Sequence, residues 1–285
     1  MAFEIRKISN VGTGHPVVAR LGVQMTELID WVDVDNGGRN SIVDLYVNIL
    51  RPRLLRCYEI RDGLVQRMAD SAEGLSKQND PRVRVVPHVV DLQGIVEGFL
   101  YETKNYLRDL LKVFQIVYGC DLKDASAFAD LNGSGDSDIV TWANSLLGPE
   151  DDLSKLLKTE QDWVGEFIRM RNAIEHPGGL SGTLTLQNIR VHPNHAEGYI
   201  PPTWERTGRP ASDIIKDMDC GLDNMLTLAE DLLGHIVMHK SKFKGITLYE
   251  IPVEQRDPKC PIRLRVGLSP ELGAKIGKSA TSPET

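Results

Sequence analysis

The sequence predicts a mainly α-helical protein, a helical bundle with small β additions. Three long segments, 89–118, 151–176 and 212–239, carry apolar residues at steps of three and four, which is the period of a helix packed on one face. Two other segments, 181–201 and 246–266, have the short, extended patterns typical of strands. The long helices therefore predict the core, and the strands predict a hairpin after the second of these helices and a C-terminal addition.

The same patterns suggest how the chain is organised. Residues 1–38 form an N-terminal extension whose structure the sequence leaves open. Residues 39–245 form the helical bundle, with a β-hairpin inserted at about 181–201. A strand segment follows at 246–268, and the polar residues 269–285 predict a disordered tail.

The first half of the bundle contains several predicted helices. A helical pattern runs from Asn40 to about Leu75 and contains Pro52, which should kink it or break it in two. RVRVV, residues 82–86, alternates like a short strand or an extended linker. The helix over 89–118 has one broad apolar stripe, and its members are Leu92, Ile95, Val96, Phe99, Leu107, Leu110, Leu111, Phe114 and Val117.

The second half of the bundle predicts further helices. Two short ones lie at Lys123 to Asp130 and at Ser137 to Leu147. A longer helix begins near Asp151 and ends at His176, because Pro177 disfavours helical geometry in the residue before it. The last helix begins at Ser212 as a candidate N-cap. Its apolar face contains Ile214, Met218, Leu222, Met225, Ala229, Leu232 and Ile236.

Composition and charge exclude several classes of function. The 33 lysines and arginines against 40 aspartates and glutamates give a net charge of −7, which argues against a broad surface that wraps nucleic acid. The four cysteines are far apart and form no CxxC pair, so they predict reduced thiols. The N-terminus has no apolar signal core, and no window of 18 residues is apolar and free of charge. We expect a cytoplasmic protein that does not enter a membrane.

Two patterns resemble metal sites and lack essential ligands. In the stretch DLNGSGDSDIV, which begins at Asp130, six residues fall on positions of a calcium loop, namely Asp130, Asn132, Ser134, Gly135, Asp136 and Asp138, but Thr141 stands where a bidentate glutamate is required. The simpler interpretation is a polar loop in which Ser137 or Asp136 caps the next helix. His235 and His239 have the spacing of two zinc ligands on a helix, and His192 and His195 could join them, but no HExxH motif is present. We expect no metal and no cofactor.

The stretch RMRNAIEHPGG, residues 169–179, is the strongest candidate for a functional site. Trp163, Phe167, Met170 and Ile174 cluster within about 60° around the helix, and Arg171 falls inside this apolar arc. A guanidinium beside apolar surface needs an anion. Glu175, four residues on, is its simplest partner, and the helix dipole by itself favours His176 at this C-terminus.

The same side chains also have the chemistry of phosphodiester cleavage. Arg171 offers a planar fork for two phosphate oxygens, and His176 can exchange a proton near pH 7. Asn172 could orient His176 or the phosphate. Because Arg171 and His176 are about 140° apart on an ideal helix, one chain would struggle to aim both at one phosphorus. The spacing therefore favours a two-fold dimer with a composite site.

The run Arg171-Asn172-Ala173-Ile174-Glu175-His176 resembles the RNxxxH signature of HEPN domains (higher eukaryotes and prokaryotes nucleotide-binding). The resemblance implies an all-α bundle, commonly dimeric, which in many members is a metal-independent endoribonuclease of toxin-antitoxin, phage-defence or RNA-processing systems that leaves 2′,3′-cyclic phosphate ends. Other members have lost catalysis and serve as binding or dimerisation modules.

The sequence thus leaves two functional hypotheses. In the first, the protein is a homodimeric HEPN-type ribonuclease in which Arg171 binds the phosphate, His176 is the general acid or base, and Asn172 orients them. Arg169 would add positive potential at the same site, and an antitoxin or regulatory protein is a possible partner. In the second, the protein is a non-catalytic dimerisation or interaction module in which Arg171 pairs with Glu175 and His176 caps the helix.

Overall fold

The protein is mainly α-helical with small β additions, as predicted. The computed structural model describes residues 11–76, 85–131, 133–194, 198–270 and 272. About 60% of the protein is helical and 12% is in strands, which form sheets of two or three strands. By contacts the chain divides into two compact units, one of Met1–Arg51, Val113–Cys120 and Leu226–Thr285, the other of Pro52–Lys112 and Asp121–Met225.

The helices begin soon after the start of the described chain. In order they are α1 Pro16–Val18, α2 Met25–Ile29, α3 Asn36–Val43, α4 Arg51–Ser76, α5 Leu92–Leu110, α6 Lys112–Tyr118, α7 Asp138–Leu147, α8 Asp152–Glu175 and α9 Ile214–His239. Two π-helical segments, Ala19–Gln24 and Asp44–Leu50, join α1 to α2 and α3 to α4. Short 3₁₀ helices lie at Ala125–Phe128 and Val253–Gln255.

The described strands form three small antiparallel sheets. They are β1 Leu184–Gln187, β2 Arg190–Val191, β3 Tyr199–Ile200, β4 Thr203–Arg206, β5 Ser212–Asp213, β6 Ile246–Glu250 and β7 Leu264–Leu268. The sheets have the orders β1-β4-β5, β2-β3 and β6-β7. The pairing of β6 with β7 confirms the predicted C-terminal strands.

The helix predictions are confirmed most clearly by burial. Every predicted face residue of α9, from Ile214 to Ile236, is buried. Most of the stripe predicted for 89–118 is buried as well, although that segment forms two helices, α5 and α6, with Leu111 between them. The apolar residues at steps of three and four predicted these faces, because an α-helix with 3.6 residues per turn places such residues on one side.

Several local predictions are wrong. Lys123 to Asp130 is not an α-helix: Asp124 accepts a hydrogen bond from the Ser126 N–H at 2.9 Å and caps a single 3₁₀ turn, after which Ala129 is extended. Ser212 is not the N-cap of α9, since it lies in β5. The Asp213 carboxylate instead accepts hydrogen bonds from the first free N–H groups, those of Ile215 and Lys216.

The region after α8 is richer in strands than predicted. The expected hairpin at 181–201 exists as the pair β2-β3. However, β1 pairs with β4, and β4 pairs with β5, so the larger sheet reaches Asp213.

Pro52 does not end the helical segment that contains it. It lies at the start of α4, directly after the π-helical segment Asp44–Leu50. Because Pro52 has no N–H, a carbonyl of the preceding turn lacks its usual donor, which favours a local change in helix type. The predicted strand at 82–86 lies mostly outside the described residues.

The unit that contains the N-terminus has a helical core with a buried charge cluster. The N-terminal residues left open by the sequence contribute Leu21, Met25 and Leu28, all fully buried. Glu230 is also fully buried, and Arg20, Arg263 and Gln24 donate hydrogen bonds to its carboxylate. Such a carboxylate is tolerated in a core only because its oxygens are paired.

The other unit packs α5 against α8 through aromatic rings. Phe167 on α8 lies 6.2 Å from Phe99 on α5 and 6.4 Å from Trp204 on β4, measured between ring centroids. Gly221 on α9 lets this cluster form, because a Cβ there would lie 2.6 Å from the Phe167 ring. This packing fixes α8, the helix that carries the candidate site.

We predict that Gly221→Ala lowers the free energy of unfolding by about 1–3 kcal/mol, since the Phe167 ring would have to shift from its contacts with Phe99 and Trp204. Gly63→Ala is the matched control, because its Cβ would meet nothing within 4 Å in an exposed part of α4. That change should be neutral or stabilise by up to about 1 kcal/mol. Urea unfolding of both variants tests this, and equal midpoints would refute the packing argument.

Candidate functional site

The end of α8 sets the position of the candidate residues. The helix begins at the N-cap Asp151, whose carboxylate accepts a hydrogen bond from the Leu153 N–H at 2.9 Å. It ends at Glu175, and His176 is the C-cap with φ −130° and ψ 70°. This confirms the predicted end, because Pro177 clashes with a helical residue before it. His176 keeps one helical bond, from its N–H to the Asn172 carbonyl at 2.8 Å.

Arg171, Asn172 and His176 line one groove of about 430 Å³ on a single chain. Lys104 of α5 and Asp124 beside the 3₁₀ turn line the same groove. The two side chains therefore share a groove on one chain, and the expectation that one chain would struggle to aim both at one phosphorus stays a prediction. The angle of 140° assumed an ideal helix, and His176 has already left helical geometry. The homodimer itself stays a prediction.

One carboxylate contacts both of the charged candidates. The Glu175 Oε1 accepts a hydrogen bond from Arg171 Nη2 at 2.9 Å, and Oε2 pairs with Arg171 Nη1. The same Oε2 lies 3.5 Å from Nε2 of His176. The side chain of Arg171 is 19% exposed, that of Glu175 43% and that of His176 73%. An oxyanion in this position can therefore reach a guanidinium and an imidazole together.

Lys104 is a functional candidate that sequence reasoning missed. Its Nζ donates a hydrogen bond to Asn172 Oδ1 at 3.1 Å, across 68 positions of sequence. Burial, followed by the nearby Arg171 guanidinium, lowers the pKa of Lys104. Asn172 thus holds a lysine in place by its side-chain oxygen. No local motif could have identified Lys104, because α5 and α8 meet only in the folded chain.

Asp124 places an ionised carboxylate at the edge of the groove. Burial opposes its ionisation, but hydrogen bonds from the Ser126 N–H and hydroxyl, together with Lys104 and Arg108, hold the pKa of Asp124 below its ordinary value. The groove therefore combines cations from two helices with two carboxylates. The negative charge of the two carboxylates offsets the mutual repulsion of the two cations.

Arg169 does not belong to this groove. Its Nη2 donates a hydrogen bond to the backbone carbonyl of Asp130, which ties α8 to the loop after the 3₁₀ turn. Arg169 points away because two helical residues turn the side chain by about 200° relative to Arg171. Arg169 thus contacts the loop and does not line the groove, and its contribution of positive potential at the Arg171 site stays a prediction.

No protein-family model matches the sequence, and searches of curated proteins and of solved structures find no significant match. Among the described residues, no helix combines the length and apolar character needed to cross a bilayer. The function of the groove therefore has to follow from the chemistry of its own side chains.

In the structure, protein groups occupy the positions where the calcium-like loop would bind an ion. The Lys158 ammonium donates hydrogen bonds to the Asp136 carboxylate and the Gly135 carbonyl. Ser137 is the N-cap position of α7, as the polar-loop interpretation required, although its hydroxyl makes no capping bond. Asn132 and His195 lie outside the described residues. Within the described part of the chain, no three His, Cys, Asp or Glu side chains form a group that could hold a metal.

A second cavity lies on another face of α8 and is more apolar. Trp163, Phe167 and Trp204 form its walls, and its volume is also about 430 Å³. Arg206 in its wall is already paired, since it makes two hydrogen bonds to Glu166, at 2.7 and 2.9 Å. Among the described residues, no histidine lines this cavity, whereas the groove at Arg171 combines an arginine, a lysine and a histidine.

We predict that Arg171→Gln raises the pKa of Lys104, because the nearby guanidinium opposes protonation of the lysine. NMR of the ¹³C-methylated lysines measures this pKa directly. Arg209→Gln is the control, since Arg209 faces the other cavity. A Lys104 pKa that does not move in Arg171→Gln would contradict the assigned geometry of the groove.

Proposed function

We propose that the protein is a metal-independent endoribonuclease of the HEPN type that cuts single-stranded or loop RNA in the Arg171 groove. Arg171 binds the scissile phosphate, and His176 is the general acid or base. Asn172 orients these groups, and Lys104 adds a second cation. The proposal includes a cytoplasmic homodimer, with a role in a toxin-antitoxin or phage-defence system and an antitoxin or regulatory protein as partner.

The contacts of Glu175 carry this proposal. A carboxylate and a phosphodiester both offer two oxygens to a guanidinium, which binds either in a bidentate manner. Because the Glu175 carboxylate reaches Arg171 and lies 3.5 Å from His176, an RNA phosphate that displaces it would meet both groups at once. The 73% exposure of His176 leaves its imidazole accessible to a ribose. These contacts support phosphate binding by Arg171 and proton transfer by His176.

The chemistry follows from the nucleophile that RNA carries. The ribose 2′-hydroxyl oxygen bonds to the adjacent phosphorus, the P–O5′ bond breaks, and the products are a 2′,3′-cyclic phosphate and a 5′-hydroxyl. His176 either accepts the 2′-hydroxyl proton or donates a proton to O5′. Arg171 and Lys104 stabilise the charge that develops on the phosphate oxygens. In a homodimer, a second copy of the groove supplies the other proton-transfer group.

The second candidate function is a non-catalytic interaction module, and the same ion pair favours it. Arg171 and Glu175 are four residues apart on α8, and a pair at this spacing on a helix surface contributes only about 0.3–0.5 kcal/mol. If this pair serves only the helix surface, Arg171→Ala changes the unfolding free energy or the association of chains and has no effect on RNA. The effect of Arg171→Ala on RNA cleavage therefore distinguishes the two functions.

We predict that the purified protein cleaves a labelled single-stranded RNA in the presence of excess EDTA and leaves 2′,3′-cyclic phosphate ends. His176→Ala should reduce the rate by a factor of about 10² or more, because the proton transfer is lost. Gel electrophoresis of the products measures the cleavage rate, and their resistance to phosphatase identifies the 2′,3′-cyclic phosphate ends.

The matched control is His88→Ala, which removes an exposed histidine from another part of the chain. It should cleave at the wild-type rate. Loss of wild-type cleavage on addition of EDTA would contradict a metal-independent mechanism. Absence of cleavage in every variant, with a changed unfolding midpoint in Arg171→Ala, would favour the interaction module.

A further inference from the structure

A second groove lies on the other side of the Arg171–Glu175 pair. Helix α5 has glycines at 94 and 98 and Tyr101 three residues later, so all three lie toward one side of the helix. Without side chains at the two glycines, a groove of about 540 Å³ opens along α5, with Arg171 and Glu175 on its far wall. The same two residues line the groove that contains His176. The ion pair is therefore a shared wall between the two grooves.

Tyr101 presents an exposed aromatic ring to this second groove. The residue is 54% exposed, although the other aromatic residues of α5, Phe99 and Tyr106, are fully buried. The guanidinium carbon of Arg171 lies 6.0 Å from the ring centroid. A ring and a guanidinium in this arrangement attract each other, and each also offers a flat face for stacking. The pair therefore combines an aromatic platform with a phosphate-binding cation.

Single-stranded RNA is recognised by this combination of groups. Unpaired bases stack on aromatic side chains, and the phosphates between them bind arginine and lysine. We propose that the groove at Tyr101 holds the base of the nucleotide next to the phosphate bound by Arg171. This inference rests on the proposed function, because it takes the ligand of Arg171 to be an RNA phosphate.

The charges of the groove determine which end of the nucleotide, base or phosphate, lies at Tyr101. Glu97 lies in its wall, and its carboxylate accepts a hydrogen bond from Gln93 at 2.8 Å. A carboxylate repels a second phosphate and accepts hydrogen bonds from the N–H groups at the edge of a base. The base therefore enters the groove at Tyr101, and the phosphate stays at Arg171. The ribose and the scissile bond then face His176.

The test measures binding of a fluorescein-labelled, single-stranded 2′-O-methyl RNA, which lacks the nucleophile and cannot be cleaved. Fluorescence anisotropy gives Kd for the wild type, Tyr101→Ala and Tyr101→Phe. Loss of one stacked base should raise Kd roughly tenfold or more in Tyr101→Ala. Tyr101→Phe keeps the ring and should stay within about twofold of the wild type. The control Tyr199→Ala removes another exposed ring, from β3, and should leave Kd unchanged.

The outcomes separate this inference from the proposed function. Equal Kd values for the wild type and Tyr101→Ala, or no binding of RNA by the wild type, overturn the base subsite. Binding that depends on Tyr101, without cleavage of an RNA that has its 2′-hydroxyls, supports the subsite and overturns the nuclease. Cleavage by the wild type together with an unchanged Kd in Tyr101→Ala supports the nuclease and overturns the subsite.

Discussion

Helix α8 ends at Glu175, because the proline ring of Pro177 disfavours helical geometry in His176, the residue before it. The rest of the site depends on this constraint. It leaves Arg171 and Glu175 near the end of the helix, at the spacing that pairs them, and frees His176 to turn back toward the same carboxylate. A histidine inside a continuing helix would remain on the far side from Arg171. The C-terminal end of the helix thus brings an imidazole and a guanidinium into one groove.

The electrostatics of the groove explain why it suits an oxyanion. Lys104 and Arg171 come from different helices, and the guanidinium adds to the effect of burial in lowering the pKa of the lysine. Cations held this close are costly unless an anion lies between or beside them. In the free protein, Glu175 and Asp124 provide that negative charge. In the proposed function, a substrate phosphate takes the position of the Glu175 carboxylate, and the exchange of one anion for another leaves the charge of the groove nearly unchanged.

The sequence predicted the parts of this structure that depend on neighbouring residues in the chain. The buried face from Ile214 to Ile236 and the end of α8 follow from helical periodicity and from Pro177. Features set by distant contacts were missed. Lys104 reaches Asn172 across 68 positions, and Arg169 is held by a backbone carbonyl in another segment. The pairing of β1 with β4 likewise depends on which strand the folded chain brings alongside.

The central claim is that an RNA phosphate displaces the Glu175 carboxylate and contacts Arg171 and His176 together. A crystal structure of the protein with a non-cleavable 2′-O-methyl dinucleotide tests this most directly. The account predicts phosphate oxygens within hydrogen-bond distance of the Arg171 guanidinium and of Nε2 of His176, with the Glu175 side chain turned away. A dinucleotide bound elsewhere, with the Arg171–Glu175 pair intact, would contradict it.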